Sequence, residues 1–443
     1  MSAPTTSPRT YLRGSAGYEP ARRDTMWNAR LPDRFPDVIV QARDVYDVVA
    51  AVKRAKHEGL RVGVRSGGHS WAGNHVRDGG MLLDVSRLDG VSIDAASMQA
   101  TAGPGCAGHA LAERLRPHGL FFPAGHCKGV CLGGYLLQGG FGWHGRKLGL
   151  ACMNVLGIDY VDADGQRRHA SPTENEGMYW AARGAGPGFF GVITRFHLQL
   201  HPRPRFMGMA MATYPLRDLE RVFRWAHAHG PSIPDSIELM LLVSRDNPGV
   251  RGPGITVLAP VFEDSYGAAT KAASFMKQRP RGAGMSLPLV PMKLDWMYRG
   301  VMRHYPDEHR YAVDNMWTHA PIDALLPGIE RIGSTLPPAP SHMLWMNWCP
   351  PKERPPMAFS LEDDTYIALY GVWKNAEDDA AIAGWAGEHM RALAHLGSGI
   401  QLADENLAQR PARFVADANL AQLDALRAAH DAAGRFHPWM GRP

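Results

Sequence analysis

Arg65-Ser66-Gly67-Gly68-His69-Ser70 packs two glycines, two serines and a histidine into six residues, just after a short strand expected at 61–64. A turn of this kind aims successive backbone N–H groups into one concavity, a nest for phosphate oxygens, and leaves an imidazole beside it. A second segment runs Gly125-His126-Cys127-Lys128-Gly129-Val130-Cys131-Leu132-Gly133-Gly134-Tyr135 and continues to Gly139-Gly140-Phe141-Gly142. Glycine at this density costs backbone entropy and marks close approach of the chain to a ligand. No G-x-G-x-x-G lies between a strand and a helix, which argues against a nicotinamide dinucleotide fold. Cys106, Cys127, Cys131 and Cys152 cluster with His109, His118 and His126, but their spacing fits no zinc pattern and no metal is expected.

The rest of the chain must position these two loops. Its 443 residues suit two domains, and 45% hydrophobic with 21% charged residues gives large cores. The net charge of +5 is dispersed along the chain, without the basic patch of a nucleic-acid binder. Five cysteines, an odd number, do not form a disulfide framework. The first residues carry no apolar signal region and no stretch is long enough to span a bilayer, so a cytoplasmic protein without membrane or nucleic-acid partners is expected.

From position 36 short strands and helices alternate. Strands are expected at 38–40, 61–64, 81–85, 91–93, 100–102 and 158–161. One helix is capped by Asp44, with Val45, Val48, Val49, Val52 and Ala55 on one face, and another spans 111–115. The rhythm is not that of a doubly wound sheet and points to an α+β domain. Pro202-Arg203-Pro204 reads as its exit. Beyond it, 237–243 and 255–261 form an expected hairpin, and 342–348 and 366–373 read as further strands of one broad antiparallel sheet backed by helices. A last helix carries Leu420, Leu423 and Leu426. Seven of the twelve tryptophans lie between 205 and 400, enough to line an aromatic pocket as well as a core.

Several segments together resemble the vanillyl-alcohol-oxidase (PCMH-type) flavoprotein superfamily, in its berberine-bridge-enzyme-like branch. They are VRSGGHSWAG, MLLDVSRLDGVSID leading to ATAGPGC, FFPAGHCKGVCLGGYLLQGGFGWHGRKLGL, DYVDADG, WAARGAGPGFFGVIT and the ending GRFHPWM. The resemblance implies a two-domain PCMH-type fold, with an FAD-binding domain over 1–204 to which 430–443 return, and a substrate domain over 205–429. It implies FAD joined covalently through His69 at the flavin 8α-methyl and through Cys127 at C6, each a nucleophile able to attack an electron-poor ring; Cys131 is a rival attachment. The implied cofactor shell is Arg65, Ser66, Gly67, Gly68, Ser70, Val130, Gly133, Gly134, Tyr135, Gly140, Gly142, Val192 and Trp439. Val130 falls where the family controls access of O2.

The resemblance assigns no base directly. Asn347 falls near the position of a family glutamate and Gln401 where relatives carry a tyrosine, and neither side chain is a base at neutral pH; Tyr370 and Asp404 are the candidates to replace them. The expected protein is an FAD-dependent oxidase, monomeric or homodimeric, acting on a small aromatic or polycyclic substrate of secondary metabolism with O2 and releasing H2O2. Rival readings are a flavin dehydrogenase with another acceptor, and a non-redox cyclase or binding protein with structural flavin.

Overall fold

A computed structural model describes residues 8–442. Val38–Gln41, Met81–Asp84 and Val62–Arg65 pair in parallel, and Arg9–Leu12 closes one edge antiparallel. The helix Val45–His57 lies over them. Its first turn is capped by the Asp44 carboxylate, which accepts from the amides of Tyr46 and Asp47, and Val48, Ala51, Val52 and Ala55 are buried. A second, antiparallel sheet has the order Val91–Asp94, Gln99–Ala102, Val192–Gln199, Val155–Val161, Arg167–Ala170. The chain end returns to the first sheet: the Val62 amide donates to Arg435 O (2.7 Å) and the His437 amide to Val62 O (3.2 Å).

The third sheet has seven antiparallel strands, ordered Met285–Pro291, Phe206–Pro215, Gly254–Glu263, Leu239–Ser244, His342–Asn347, Thr365–Trp373, Arg310–Thr318. The expected hairpin is there, with Ser244 opposite Gly254. Alternation divides each strand. Leu241, Val243, Met343, Trp345, Ile367 and Leu369 pack in one core with side chains of the helices Leu219–His229, Ile322–Ser334 and Trp385–Leu393. Met240, Met346, Tyr366 and Tyr370 point to the other side, toward the glycine-rich loops. The fold is therefore α+β with a large antiparallel sheet backed by helices, as expected. Ala358, Ile400, Leu402, Phe414 and Val415, from the later part of the chain, pack into the core of the first two sheets.

Candidate active site

Between the glycine-rich loops and the free face of the seven-stranded sheet lies a cavity of about 750 Å³. Its first wall is made by Arg65, Ser66, Gly67, Gly68, His69, Ser70, Cys127, Val130, Gly133, Gly134, Tyr135 and Gly140, so twelve of the fifteen expected cofactor-shell residues converge. The other three do not reach it. Val192 is fully buried in the core and is replaced at the wall by its neighbours Gly191 and Ile193. Trp439 packs its ring on Gly188 and donates its indole N–H to Ala185 O (2.7 Å).

Gly142 is the third. It makes room for a side chain rather than a ligand: a Cβ there would lie 2.2 Å from the Tyr135 hydroxyl oxygen. The same ring lies 3.1 Å and 3.0 Å from the Cβ positions of Gly125 and Gly140, and its hydroxyl donates to Pro123 O (2.7 Å). Part of the glycine density thus serves the packing of one buried tyrosine.

His69 stacks on Trp27, with centroids 4.8 Å apart and planes at 20°. Burial first, then the nearby Arg65 charge, lowers its pKa to about 4, which keeps the imidazole neutral and the lone pair of one ring nitrogen available. A Cβ at residue 129 would come within 2.8 Å of His69 Nε2, and the φ of +82° there is a left-handed one, so glycine meets both demands. Cys127 packs in the cluster of Trp71, Tyr305 and Tyr311. Burial, with the Asp404 charge second, pushes its thiol up to about 12. Cys131 also borders the cavity but is held under the first loop: its Sγ lies 3.0 Å from the Cβ position of Gly67 and donates to Gly129 O (3.4 Å).

On the opposite wall Asp404 is the centre of a hydrogen-bond cluster. Its Oδ2 accepts from the Tyr366 hydroxyl (2.5 Å) and the Tyr370 hydroxyl (2.8 Å), and its Oδ1 from Trp71 Nε1 (2.6 Å). Burial raises the Asp404 pKa, while the three donors pull it down; burial prevails, leaving a carboxylate more basic than an exposed one. Gln401 caps the turn Leu402–Asp404: its Oε1 accepts from the amides of Ala403 and Asp404. It borders the cavity and fixes where Asp404 points.

Asn347 is a correction. It shares strand parity with Trp345, accepts from that residue's indole N–H (3.1 Å) and lies against Gly230, on the helix side of the sheet and away from the cavity. Its neighbour Met346 holds the cavity position.

Sequence reasoning missed Trp27, Trp71, Tyr305, Tyr366 and His342. His342 stacks on Tyr370 (4.7 Å, 16°) and is fully buried, which lowers its pKa to about 3. Its Nδ1 faces the Pro340 carbonyl (3.0 Å), which can only accept, so Nδ1 carries the proton and Nε2 accepts from the Tyr305 hydroxyl (3.1 Å). Tyr366 and Tyr370 are four apart on one strand, a repeat that places both on one face. The tryptophans divide as expected between core and cavity: Trp225, Trp345 and Trp385 belong to the helix-side core, while Trp296 and Trp317 border the cavity, alongside Met209, Met211, Met240 and Met346.

FAD fits this cavity by its lining. The Ser66–Gly68 turn offers a polar cradle, and a Cβ at Gly133 would overlap Ser66 Oγ at 2.7 Å. His437 Nε2, on the same wall, is buried and has no partner among the described residues. Its pKa is lowered to about 4 by burial, so it meets a ligand as a neutral ring.

Residues 36–171 match a family model described as "FAD binding domain". The chain is 34% identical over 373 residues to FAD-linked oxidoreductase ptmO of Penicillium ochrochloron, covering 84% of this chain and 82% of that protein. Among solved structures it resembles Physcomitrella patens BBE-like 1, with a TM-score of 0.86, 19% identity and coverage of 98% and 97%. It also resembles Phl p 4, known as a wild-type glucose dehydrogenase and as an isoleucine-to-valine variant that is a glucose oxidase, with a TM-score of 0.82, 19% identity and coverage of 98% and 96%. The chain belongs to the FAD-linked oxidoreductases and is an FAD-dependent oxidoreductase.

Proposed function

We propose that the protein is an oxidase that holds FAD covalently through His69 and Cys127, oxidises an aromatic or polycyclic secondary metabolite and returns the electrons to O2 as H2O2. The observation that carries the reading is Asp404, a buried carboxylate with two phenols and an indole on its oxygens, facing the loops of His69 and Cys127 across one cavity.

FAD bound there supplies the two-electron acceptor. The chain supplies the proton chemistry. A substrate hydroxyl or amine donates its hydrogen bond to the Tyr370 oxygen, whose own proton already points at Asp404 Oδ2 (2.8 Å). As a hydride leaves the substrate carbon, the substrate proton passes to Tyr370 and the Tyr370 proton to Asp404. Gln401 holds the Asp404 backbone in place throughout. Methionine side chains on the sheet give the substrate body an adaptable apolar bed, better matched to a polycycle than to a sugar.

Attachment needs nucleophiles at both positions. The neutral His69 ring provides one directly. The protonated Cys127 thiol must lose its proton first, so attachment there is expected to be the slower event. We place the FAD-binding part at 1–204 with 430–443, and the substrate part at 205–429. Val130 at the cavity wall, in place of a bulkier isoleucine, supports an oxidase over a dehydrogenase, in line with the two forms of Phl p 4. Acid precipitation of purified protein tests the covalent claim: yellow colour is expected in the pellet, with intact mass raised by one FAD. Complete release of flavin into the supernatant rejects it.

A further inference from the structure

Asp159, His169 and His197 come from three adjacent strands of the five-stranded sheet, Val155–Val161, Arg167–Ala170 and Val192–Gln199. Asp159 and His169 are direct cross-strand partners, and His197 is paired with Gly157 on the other side of the same strand. Their side chains share the outer face. The inner face of the same strands, with Ile158, Tyr160, Phe196 and Leu198, is buried in the core. One oxygen, Asp159 Oδ1, lies 2.8 Å from His169 Nδ1 and 3.1 Å from His197 Nε2. The three ligand atoms all lie within 4.8 Å of one another.

We propose that this triad is a binding site for a borderline divalent transition-metal cation, with Zn²⁺ as the best match, outside the flavin cavity. Two ligands about 2.0–2.1 Å from a tetrahedral zinc are about 3.3 Å apart, so the two separations from Asp159 Oδ1 need only small outward movements, while the two nitrogens already lie within 4.8 Å of each other. Two imidazoles and one carboxylate suit zinc or its 3d neighbours and are a poor set for Ca²⁺ or Mg²⁺, which take oxygen ligands.

Two further features favour a built cluster. Residue 157 is glycine, and a Cβ there would press 3.3–3.4 Å against the His169 ring, so its absence lets that imidazole lie over the strand between its two partners. The two rings are edge to face, with centroids 5.2 Å apart and planes at 83°, so their nitrogens converge on Asp159 from different directions. Each side chain is about one-third exposed (31–39%), enough for a cation to enter and keep one water as its fourth ligand. Arg195 Nη1 stands 3.8 Å from the other Asp159 oxygen, Oδ2. Its charge opposes the cation and sets a moderate affinity, but it acts on Oδ2 and not on the oxygen that faces the two imidazoles. No sequence motif announces the site, because positions 159, 169 and 197 meet only through strand pairing.

A cation here would tie three strands together and stabilise the folded state by binding it alone. The test is titration of the purified holoenzyme with Zn²⁺ by calorimetry, alongside D159N and the H169A/H197A double variant. Co²⁺ absorption distinguishes this site from the five cysteines, since a nitrogen–oxygen site gives no thiolate charge-transfer bands. Expected are one equivalent of zinc bound by wild type, affinity reduced at least about tenfold in each variant, a zinc-dependent rise in Tm that the double variant loses, and unchanged flavin content. Equal zinc uptake by wild type and double variant, thiolate bands with Co²⁺, or no uptake by wild type would each overturn the assignment.

Discussion

The Tyr370 hydroxyl donates to Asp404 Oδ2 at 2.8 Å, and the same oxygen accepts a second phenol, Tyr366, at 2.5 Å. Among the described residues no cation acts on Asp404, so its negative charge is held by hydrogen bonds within a buried wall. A carboxylate in that state is a stronger base than one in water, and the phenol in front of it can pass a proton without moving.

Asp404→Asn keeps the shape of the side chain and removes the proton acceptor. Flavin reduction by substrate under anaerobic conditions is expected to slow by about 10²–10⁴-fold, with substrate binding nearly unchanged. Stopped-flow absorbance at the flavin bands reads both quantities. A variant that reduces its flavin at the wild-type rate removes Asp404 from the chemistry.

Tyr366→Phe tests the electrostatics without removing the base. Each phenol favours the ionised carboxylate, so deleting one raises the Asp404 pKa further above its ordinary value. The active form is the carboxylate, hence the acid limb of the kcat/KM profile moves to higher pH. A limb that stays in place or moves down rules out Asp404 as the group it reports.

The two cysteines are separable by their surroundings. Cys127 sits with Trp71, Tyr305 and Tyr311 and feels the Asp404 charge, on the side where the substrate wall meets the flavin loops. Cys131 is tied to Gly129 O beneath Gly67. Cys127→Ala is expected to retain flavin through His69 alone and to lower its redox potential, while Cys131→Ala changes neither. Peptide mapping that finds flavin on Cys131 reverses the roles.

Local signals made much of this legible. The Asp44 cap, the hairpin at 239–263 and the two glycine-rich loops are written in consecutive residues, and the loops carry nearly all of the cofactor wall. The strand Phe206–Pro215 alternates methionine with glycine or alanine and is buried on both faces, so it shows neither strong β-propensity nor a polar–apolar alternation and could not be read. Asn347 was misplaced by one residue of strand register, which moves a side chain from one face to the other. The Asp404 cluster was half visible: its carboxylate and Tyr370 were candidates. Trp71 and Tyr366 join them only through contacts that span 333 and 38 residues of chain.

Buried histidines give the fold a defined acid weakness. His75 donates to Thr25 O (2.9 Å) and His342 faces Tyr305, and burial lowers both pKa values from 6.5 to about 3. Between pH 6.5 and about 3 the unfolded chain holds a proton at each site that the folded chain lacks. Stability is therefore fully present above 6.5 and falls as pH drops through this window, by up to about 1.4 kcal/mol per pH unit for each histidine. His342→Gln is expected to flatten the dependence of the urea midpoint on pH between 7.5 and 5. An equally steep dependence in the variant assigns the weakness elsewhere.

On the proposed oxidase reading, Val130 controls how O2 reaches the reduced flavin. Its side chain borders the cavity in a half-buried position, and its carbonyl is fixed by the Gly108 amide (2.9 Å), so the loop cannot simply retreat from a larger residue. Val130→Ile adds one methylene to that wall. Enzyme reduced with dithionite is expected to reoxidise rapidly in air and release H2O2, while the variant reoxidises more slowly and is still reduced by substrate at nearly the wild-type rate. Dithionite makes the oxidative half testable before any substrate is known. Slow reoxidation of wild type with fast transfer to a quinone or dye would make the protein a dehydrogenase. Equal reoxidation of wild type and variant would show that O2 reaches the flavin by a path that does not pass Val130.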